Sequence, residues 1–344
     1  SIVLTTFFSE FLPGLRTITA DFERDTGIAL EVQGIPYLSY LTWIHARFLA
    51  KNPPEVFLLE NPGLAWRYGQ AKLMHSFDAD IGEPNPLAQD GQPWSAAFRK
   101  PHIQQSLDTN GHLYLIPYTQ YGVGFFYNGT AYDQLGLAPP ATWNELLDNM
   151  DAVLKSGQTA FLTAVRSDDT QSTWLAAAIQ ECLMRVHIPE VNLRTATPNW
   201  HFDYQDRQCT VEERIDISER IVAFEKGIID PTKAPEFEEV ARIVKDMSTR
   251  WRPDFLSLSG EEIYKIFAAA GSVHMMNGTW YLGELASLQD LMRVVAPEKT
   301  FEARTFPFPT LTPETTSLVR AGGINQNAGM RACLMVSAQE TEKW

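Results

Sequence analysis

Leu15-Arg-Thr-Ile18-Thr-Ala-Asp-Phe22-Glu-Arg-Asp-Thr-Gly27-Ile-Ala-Leu-Glu-Val32 changes its hydrophobic period at Gly27. Before the glycine, Leu15, Ile18 and Phe22 recur at the spacing of one helix face. Gly27 supplies the left-handed residue that ends a helix. After it, Ile28, Leu30 and Val32 alternate with Ala29 and Glu31, the period of a strand. Towards the N-terminus, Ile2 to Phe8 is β-branched and aromatic and reads as a buried strand. Towards the C-terminus, Ser39 is placed to cap a second helix with Leu41, Ile44 and Phe48 on its apolar face. Pro53 and Pro54 stop it, and Val56 to Leu59 is a third strand. Strand, helix, strand, helix, strand predicts an α/β fold built on a parallel sheet.

A second α/β region follows. Strands are expected over 113–117 and 123–127, broken by Tyr118-Thr-Gln-Tyr121-Gly122. Thr142-Trp-Asn-Glu145 is a capping box that opens a helix with Leu146, Met150 and Val153 on one face, ended by Gly157. A strand over 161–165 and helices near 171–184, 212–226 and 236–251 come next. Ser259-Gly-Glu-Glu262 is a second capping box, for a helix that ends at Gly271. Strands over 273–276 and 301–308 complete the pattern. Glu340 to Trp344 reads as the first turn of one more helix.

At 344 residues the chain exceeds the size at which one hydrophobic core stops growing, so two domains are expected. No apolar run approaches the roughly 18 residues of a membrane span. A net charge of -14 argues against a nucleic-acid partner, whose affinity rests on phosphate neutralisation by Lys and Arg. No signal-peptide pattern precedes the first strand, which fits a cytosolic protein or a mature or engineered form. Cys182 and Cys209 can pair in an exported protein. Three separate buried thiols, with Cys333 the third, are the commoner outcome.

Motifs of catalysis and metal binding are missing: there is no G-x-S-x-G, H-E-x-x-H, P-loop, G-x-G-x-x-G or EF-hand loop. No catalytic residue, metal or cofactor is therefore expected. The histidines are scattered, and His274, in an apolar strand, reads as a satisfied core residue. Asp168-Asp169, Glu238-Glu239 and Glu261-Glu262 are adjacent pairs, and neighbours on a helix do not face one substrate. Carboxylates converging from distant positions, as in a glycan hydrolase, stay open.

Several segments together resemble the extracellular solute-binding proteins of carbohydrate ABC importers, the maltose-binding-protein-like family. They are Asp21-Phe-Glu-Arg-Asp-Thr-Gly-Ile28, Pro53-Pro-Glu-Val-Phe-Leu-Leu59, Gly111-His-Leu-Tyr-Leu-Ile-Pro-Tyr118 with Gly124-Phe-Phe-Tyr-Asn128, and Tyr132-Asp-Gln-Leu-Gly-Leu137 with Thr142-Trp-Asn-Glu-Leu146. Gly271-Ser-Val-His-Met-Met-Asn-Gly-Thr-Trp280, Phe306-Pro-Phe-Pro309 and Ala321-Gly-Gly-Ile324 continue the likeness. Their order along the chain carries the signal.

The resemblance implies a type II periplasmic-binding-protein-like α/β fold with two lobes and a ligand cleft between them. Residues 1–119 with 306–336 would form the N-terminal lobe, and 120–305 with 337–344 the C-terminal lobe. Crossings are expected near 118–122, 305–308 and 336–337, and further C-terminal helices beyond Trp344. The implied function is the substrate-binding subunit of an ABC importer, which closes on a mono- or oligosaccharide without chemistry. Its partners would be the ligand and the permease subunits. It would act as a monomer in the periplasm or as a cell-surface lipoprotein.

Trp280 matches the family's tryptophan after the second-lobe strand, where an indole stacks on a pyranose. The alternative is a core tryptophan. Asn277 either bonds sugar hydroxyls or holds the turn. Glu60 and Asn61 end the third strand, although Asn61-Pro62 also suits a helix start. Ser9, Glu10, Tyr37, Tyr118, Tyr121, Trp174, Arg320 and Gly322 are further family-like contacts. The sequons at Asn128 and Asn277 read as turns. The same fold with a non-sugar solute, such as a polyamine, is the alternative function, with a secreted glycan hydrolase behind it.

Overall fold

The change of period at Gly27 becomes a change of element. Helix α1 (Leu12–Thr26) ends where Gly27 adopts φ 74°, and the glycine amide donates to the Glu23 carbonyl at 2.8 Å. The chain then enters a strand. This computed structural model describes residues 2–8, 11–59, 62–86, 88, 90–98, 102–103, 106–108, 110–120, 122–165, 171–193, 217–319 and 331–336. Contacts divide the chain into two units, 1–120 with 330–344, and 121–329.

In the first unit, β1 (Ile2–Thr6) lies between β2 (Leu30–Gly34) and β3 (Val56–Leu59), parallel to both. Helices α2 (Tyr37–Leu49) and α3 (Pro62–Gln70) follow β2 and β3. Strands β4 (Ile116–Gln120) and β9 (Arg331–Val336) complete the sheet in the order β2-β1-β3-β9-β4, with β9 antiparallel to its neighbours. Ile2, Leu4, Leu15 and Val56 pack α1 onto this sheet. Tyr40 is almost fully buried and pins two strands. Its hydroxyl accepts from the Leu58 amide at 3.1 Å and lies 3.1 Å from the Thr5 hydroxyl.

In the second unit the sheet order is β6-β7-β5-β8, from Phe161–Leu162, His274–Gly278, Val123–Asn128 and Ala303–Phe306. Strand β7 is parallel to β6 and antiparallel to β5. Helices α4 (Gly129–Leu135), α5 (Trp143–Lys155) and α6 (Gln171–Met184) are followed by a single turn, α7 (Ile188–Val191). Four more are α8 (Ile217–Glu225), α9 (Pro235–Ser248), α10 (Gly260–Ala268) and α11 (Tyr281–Val295). Both capping boxes form as the sequence predicts, at Thr142 and Ser259.

Several boundaries differ from expectation. Helix α2 begins at Tyr37, two residues before Ser39, because Pro36 is its N-cap at φ -55°, ψ 136°. The Ser39 amide and hydroxyl both donate to the Pro36 carbonyl instead. Strand β4 starts at Ile116 and contains Tyr118, which therefore lies in a strand and not in a loop. Residues before it are held elsewhere, the Leu113 amide donating to Asp78 Oδ1 at 2.7 Å. Strand β8 stops at Phe306 because Pro307 has no N–H for the ladder.

The return to the first unit also comes later than the expected boundary at 306. Phe306, Phe308, Leu311 and Val319 pack in the second unit's core. Phe306 stacks on Phe125 at 5.2 Å, and Phe308 on Trp143 at 5.6 Å. Residues 337–344, expected in the second lobe and at the start of a helix, lie outside the described residues. Cys182 is buried, and Cys209 lies outside the described residues.

Candidate functional site

In an open α/β sheet, ligands bind outside the carboxyl ends of the parallel strands. In the second unit, that end of β7 delivers Gly278, Thr279 and Trp280, and α11 starts from Trp280 without a side-chain cap. The indole lies against Gly278: a Cβ built there would sit 1.9 Å from a ring carbon of Trp280. Only a residue without a side chain lets the ring settle on the strand. Trp174, in the first turn of α6, meets Trp280 edge to face at 5.2 Å and 77°. Both indoles are half-buried, so each keeps exposed ring surface. Thr279 is tied back to the start of β5. Its amide donates to the Gly122 carbonyl at 2.8 Å, and its hydroxyl accepts from the Gly122 amide at 3.2 Å.

Asn277 is fully buried. Its Oδ1 accepts from the Gly278 amide at 2.8 Å, which steadies the strand end, and its Nδ2 has no partner among the described residues. Asn128, the other sequon asparagine, is buried and caps α4 through the Ala131 amide.

In the first unit, Phe7 and Phe8 leave the carboxyl end of β1 and Tyr37 opens α2. Phe7 touches Tyr37 edge-on at 5.4 Å and Tyr40 at 5.0 Å. Tyr37 remains 58% exposed, so this wall presents a phenol to solvent. Tyr118 lies on β4, at the opposite end of the strand order from β2, whose loop leads to Tyr37. The structure therefore brings Trp174 and Trp280 together and separates Tyr118 from Tyr37 by strand order. Ser9, Glu10, Glu60, Asn61, Tyr121, Arg320 and Gly322 lie outside the described residues.

Several of the titratable groups that drew notice in the sequence have structural partners. His274 is fully buried, and its Nδ1 lies 2.6 Å from the Ala160 carbonyl. A carbonyl only accepts, so Nδ1 carries the proton and Nε2 accepts from the Tyr132 hydroxyl at 2.6 Å. Burial lowers the pKa of His274 from 6.5 to about 4, and burial raises that of Tyr132. Glu239 holds Arg242, Glu261 holds Lys265, and Glu262 closes the box at Ser259. Asp168 and Asp169 lie outside the described residues. Among the described residues, no group of His, Cys, Asp and Glu is placed to hold a metal ion, and no helix is long and apolar enough to cross a membrane.

Reading the sequence singled out Trp280 and Trp174 but missed Gly278, Thr279 and Phe7. The run Asn277-Gly-Thr-Trp280 carried a usable signal: a glycine two residues before a tryptophan leaves room for the ring to fold back on the strand.

The second unit thus presents an aromatic wall at a sheet edge, and the first a mixed aromatic edge. Among curated proteins, no relative matches the chain in sequence. Solved structures match in fold. One comes from work on xylan utilization by the thermophilic bacterium Caldanaerobius polysaccharolyticus, with 16% identity and a TM-score of 0.66 over 99% of this chain and 74% of that one. RafE in complex with raffinose aligns at 16% identity and a TM-score of 0.62, over 99% and 74%. RafE without ligand, from Streptococcus pneumoniae, has 15% identity and a TM-score of 0.59 over 99% and 73%. These likenesses establish the two-lobed fold. Residues 9–179 of this chain match the family described as bacterial extracellular solute-binding protein.

Proposed function

We propose that the chain is the sugar-capturing receptor of a bacterial ABC importer. It works outside the cytoplasmic membrane, as a free periplasmic protein or a surface lipoprotein, and delivers its ligand to permease subunits. The observation that carries the reading is the Trp174–Trp280 pair at the carboxyl edge of the second unit's sheet, 5.2 Å between rings. An indole face suits the C–H face of a pyranose, and binding sites of this kind combine apolar walls with a few polar groups. The first unit carries an aromatic edge of its own, around Phe7 and Tyr37. Ligand that touches both lobes favours the closed arrangement, since only differential contact shifts such an equilibrium. Solved relatives of this fold are described as binding raffinose, chitin oligosaccharide and maltotetraose. In this reading the receptor returns its sugar intact; Glu239, Glu261 and Glu262 already hold Arg242, Lys265 and the Ser259 cap.

A thermal-shift screen against mono- and oligosaccharides, spermidine and metal salts tests this. A ligand at one hundred times its dissociation constant stabilises by about 2.7 kcal/mol, which is readily seen. A shift with one class of sugar, and recovery of that sugar unchanged, supports the receptor. A shift with spermidine alone, or cleavage of the sugar, overturns it.

A further inference from the structure

We infer that Thr279 couples ligand contact at Trp280 to the passage between units at Gly122, which makes Thr279 a positioning residue for capture. The inference rests on the sugar-receptor reading of the same wall. The chain passes from the first unit to the second between Gln120 and Tyr121, so Gly122 stands at the passage. Both backbone polar groups of Gly122 are held by Thr279, the carbonyl by its amide at 2.8 Å and the amide by its hydroxyl at 3.2 Å.

This pair extends the β5–β7 ladder by one rung past Val123 and Gly278. In a regular antiparallel rung both bonds run between backbones. Here a side-chain hydroxyl replaces one carbonyl. The exchange lets the chain turn from the strand into α11 at Trp280 and still grip Gly122. Trp280 is the next residue, so the ring that would meet ligand and the passage segment share one rigid link.

Gly122 itself points to movement. Its φ lies outside the left-handed region, and a Cβ added there would meet only the Thr279 methyl at an ordinary 3.8 Å. Neither space nor backbone angle demands glycine in this arrangement. Glycine is the residue that would let the same segment take a second arrangement. Thr279 is exposed, so burial does not explain its hydroxyl bond either.

The test compares Thr279→Val, which keeps shape and loses the hydroxyl, with Thr279→Ser, which restores it. In the protein without ligand, the Gly122 amide is expected to exchange hydrogen faster in Thr279→Val than in wild type or Thr279→Ser, with a cooperative melt retained. The ligand arm uses whichever of raffinose, maltotetraose, chitin oligosaccharide or xylo-oligosaccharide stabilises wild type most. In stopped-flow tryptophan fluorescence, Thr279→Val is expected to associate at the wild-type rate. It should dissociate faster by a factor on the order of five, the net worth of one hydrogen bond. Thr279→Ser should match wild type. Wild-type dissociation in Thr279→Val, equal loss in Thr279→Ser, or unchanged exchange at Gly122 overturns the coupling. Failure of every sugar on wild type overturns the receptor reading first, and the coupling with it.

Discussion

Trp174 and Trp280 meet edge to face, ring centroids 5.2 Å apart and planes at 77°. The ring edge carries partial positive charge and the face partial negative, so this arrangement holds each indole in place. Helix α6 supplies one ring and the entry to α11 the other, and each also packs on a different hydrophobic cluster. The wall is therefore set before any ligand arrives.

Trp280→Ala removes the stacking surface while the buried Tyr281 and Leu285 keep α11 anchored. Affinity for the responding sugar is expected to fall about 30-fold or more, the loss typical of a central aromatic anchor. Titration calorimetry reads it, with a cooperative melt as the control for folding. Affinity within about twofold of wild type would remove Trp280 from the site.

Gly278→Ala leaves both indoles in the sequence but puts a methyl where the Trp280 ring lies. The ring has to leave the strand, so sugar binding should weaken as it does in Trp280→Ala. Near-ultraviolet circular dichroism, which reports the indole environment, should change with it. An unchanged spectrum and affinity would mean that the ring does not rest on Gly278.

His274 makes stability depend on pH. Its pKa falls from 6.5 to about 4 in the folded chain, so the unfolded chain binds the proton more readily. The stabilisation is complete above pH 6.5 and is lost as pH falls towards 4, a change of about 3 kcal/mol. His274→Asn keeps an N–H for the Ala160 carbonyl and does not titrate. Urea unfolding at pH 7 and pH 4.5 should show a smaller loss in the variant than in wild type, and equal losses would refute the assignment.

Tyr40→Phe deletes a buried hydroxyl whose pKa burial raises to about 12. The Leu58 amide then loses its partner inside the first unit. Leaving a buried donor unpaired costs about 1–3 kcal/mol. Denaturant midpoints should fall accordingly, with sugar binding by the second-unit wall preserved. A midpoint equal to wild type would show that the hydroxyl contributes nothing.

Much of the fold was legible in local sequence because its signals are short-range. The Gly27 stop, the capping boxes at Thr142 and Ser259 and the limits of α6 each depend on residues within a turn or two. Ser39 misled because a serine amide and hydroxyl can satisfy a preceding carbonyl as well as cap a helix. The extent of β4 depended on a partner distant in sequence, β9, whereas the end of β8 was set locally by Pro307, which has no N–H for the ladder. Trp280 was legible through its surroundings. Its partner on the wall, Trp174, was one family-like contact among several, and only the docking of α6 beside β7 set it against Trp280.

By itself, the sequence determined the alternation of strands and helices, the helix ends, the need for two cores and the lack of any compact catalytic motif. These follow from periodicity, capping and chain length, which act through neighbours in the chain. Tertiary structure alone decided that Phe306 to Val319 stay with the second unit, that the Trp280 ring lies on Gly278, and that Thr279 grips Gly122. Each joins residues far apart in sequence or depends on the fit of one side chain against a particular backbone. Close packing sets such contacts only when the whole sheet has formed.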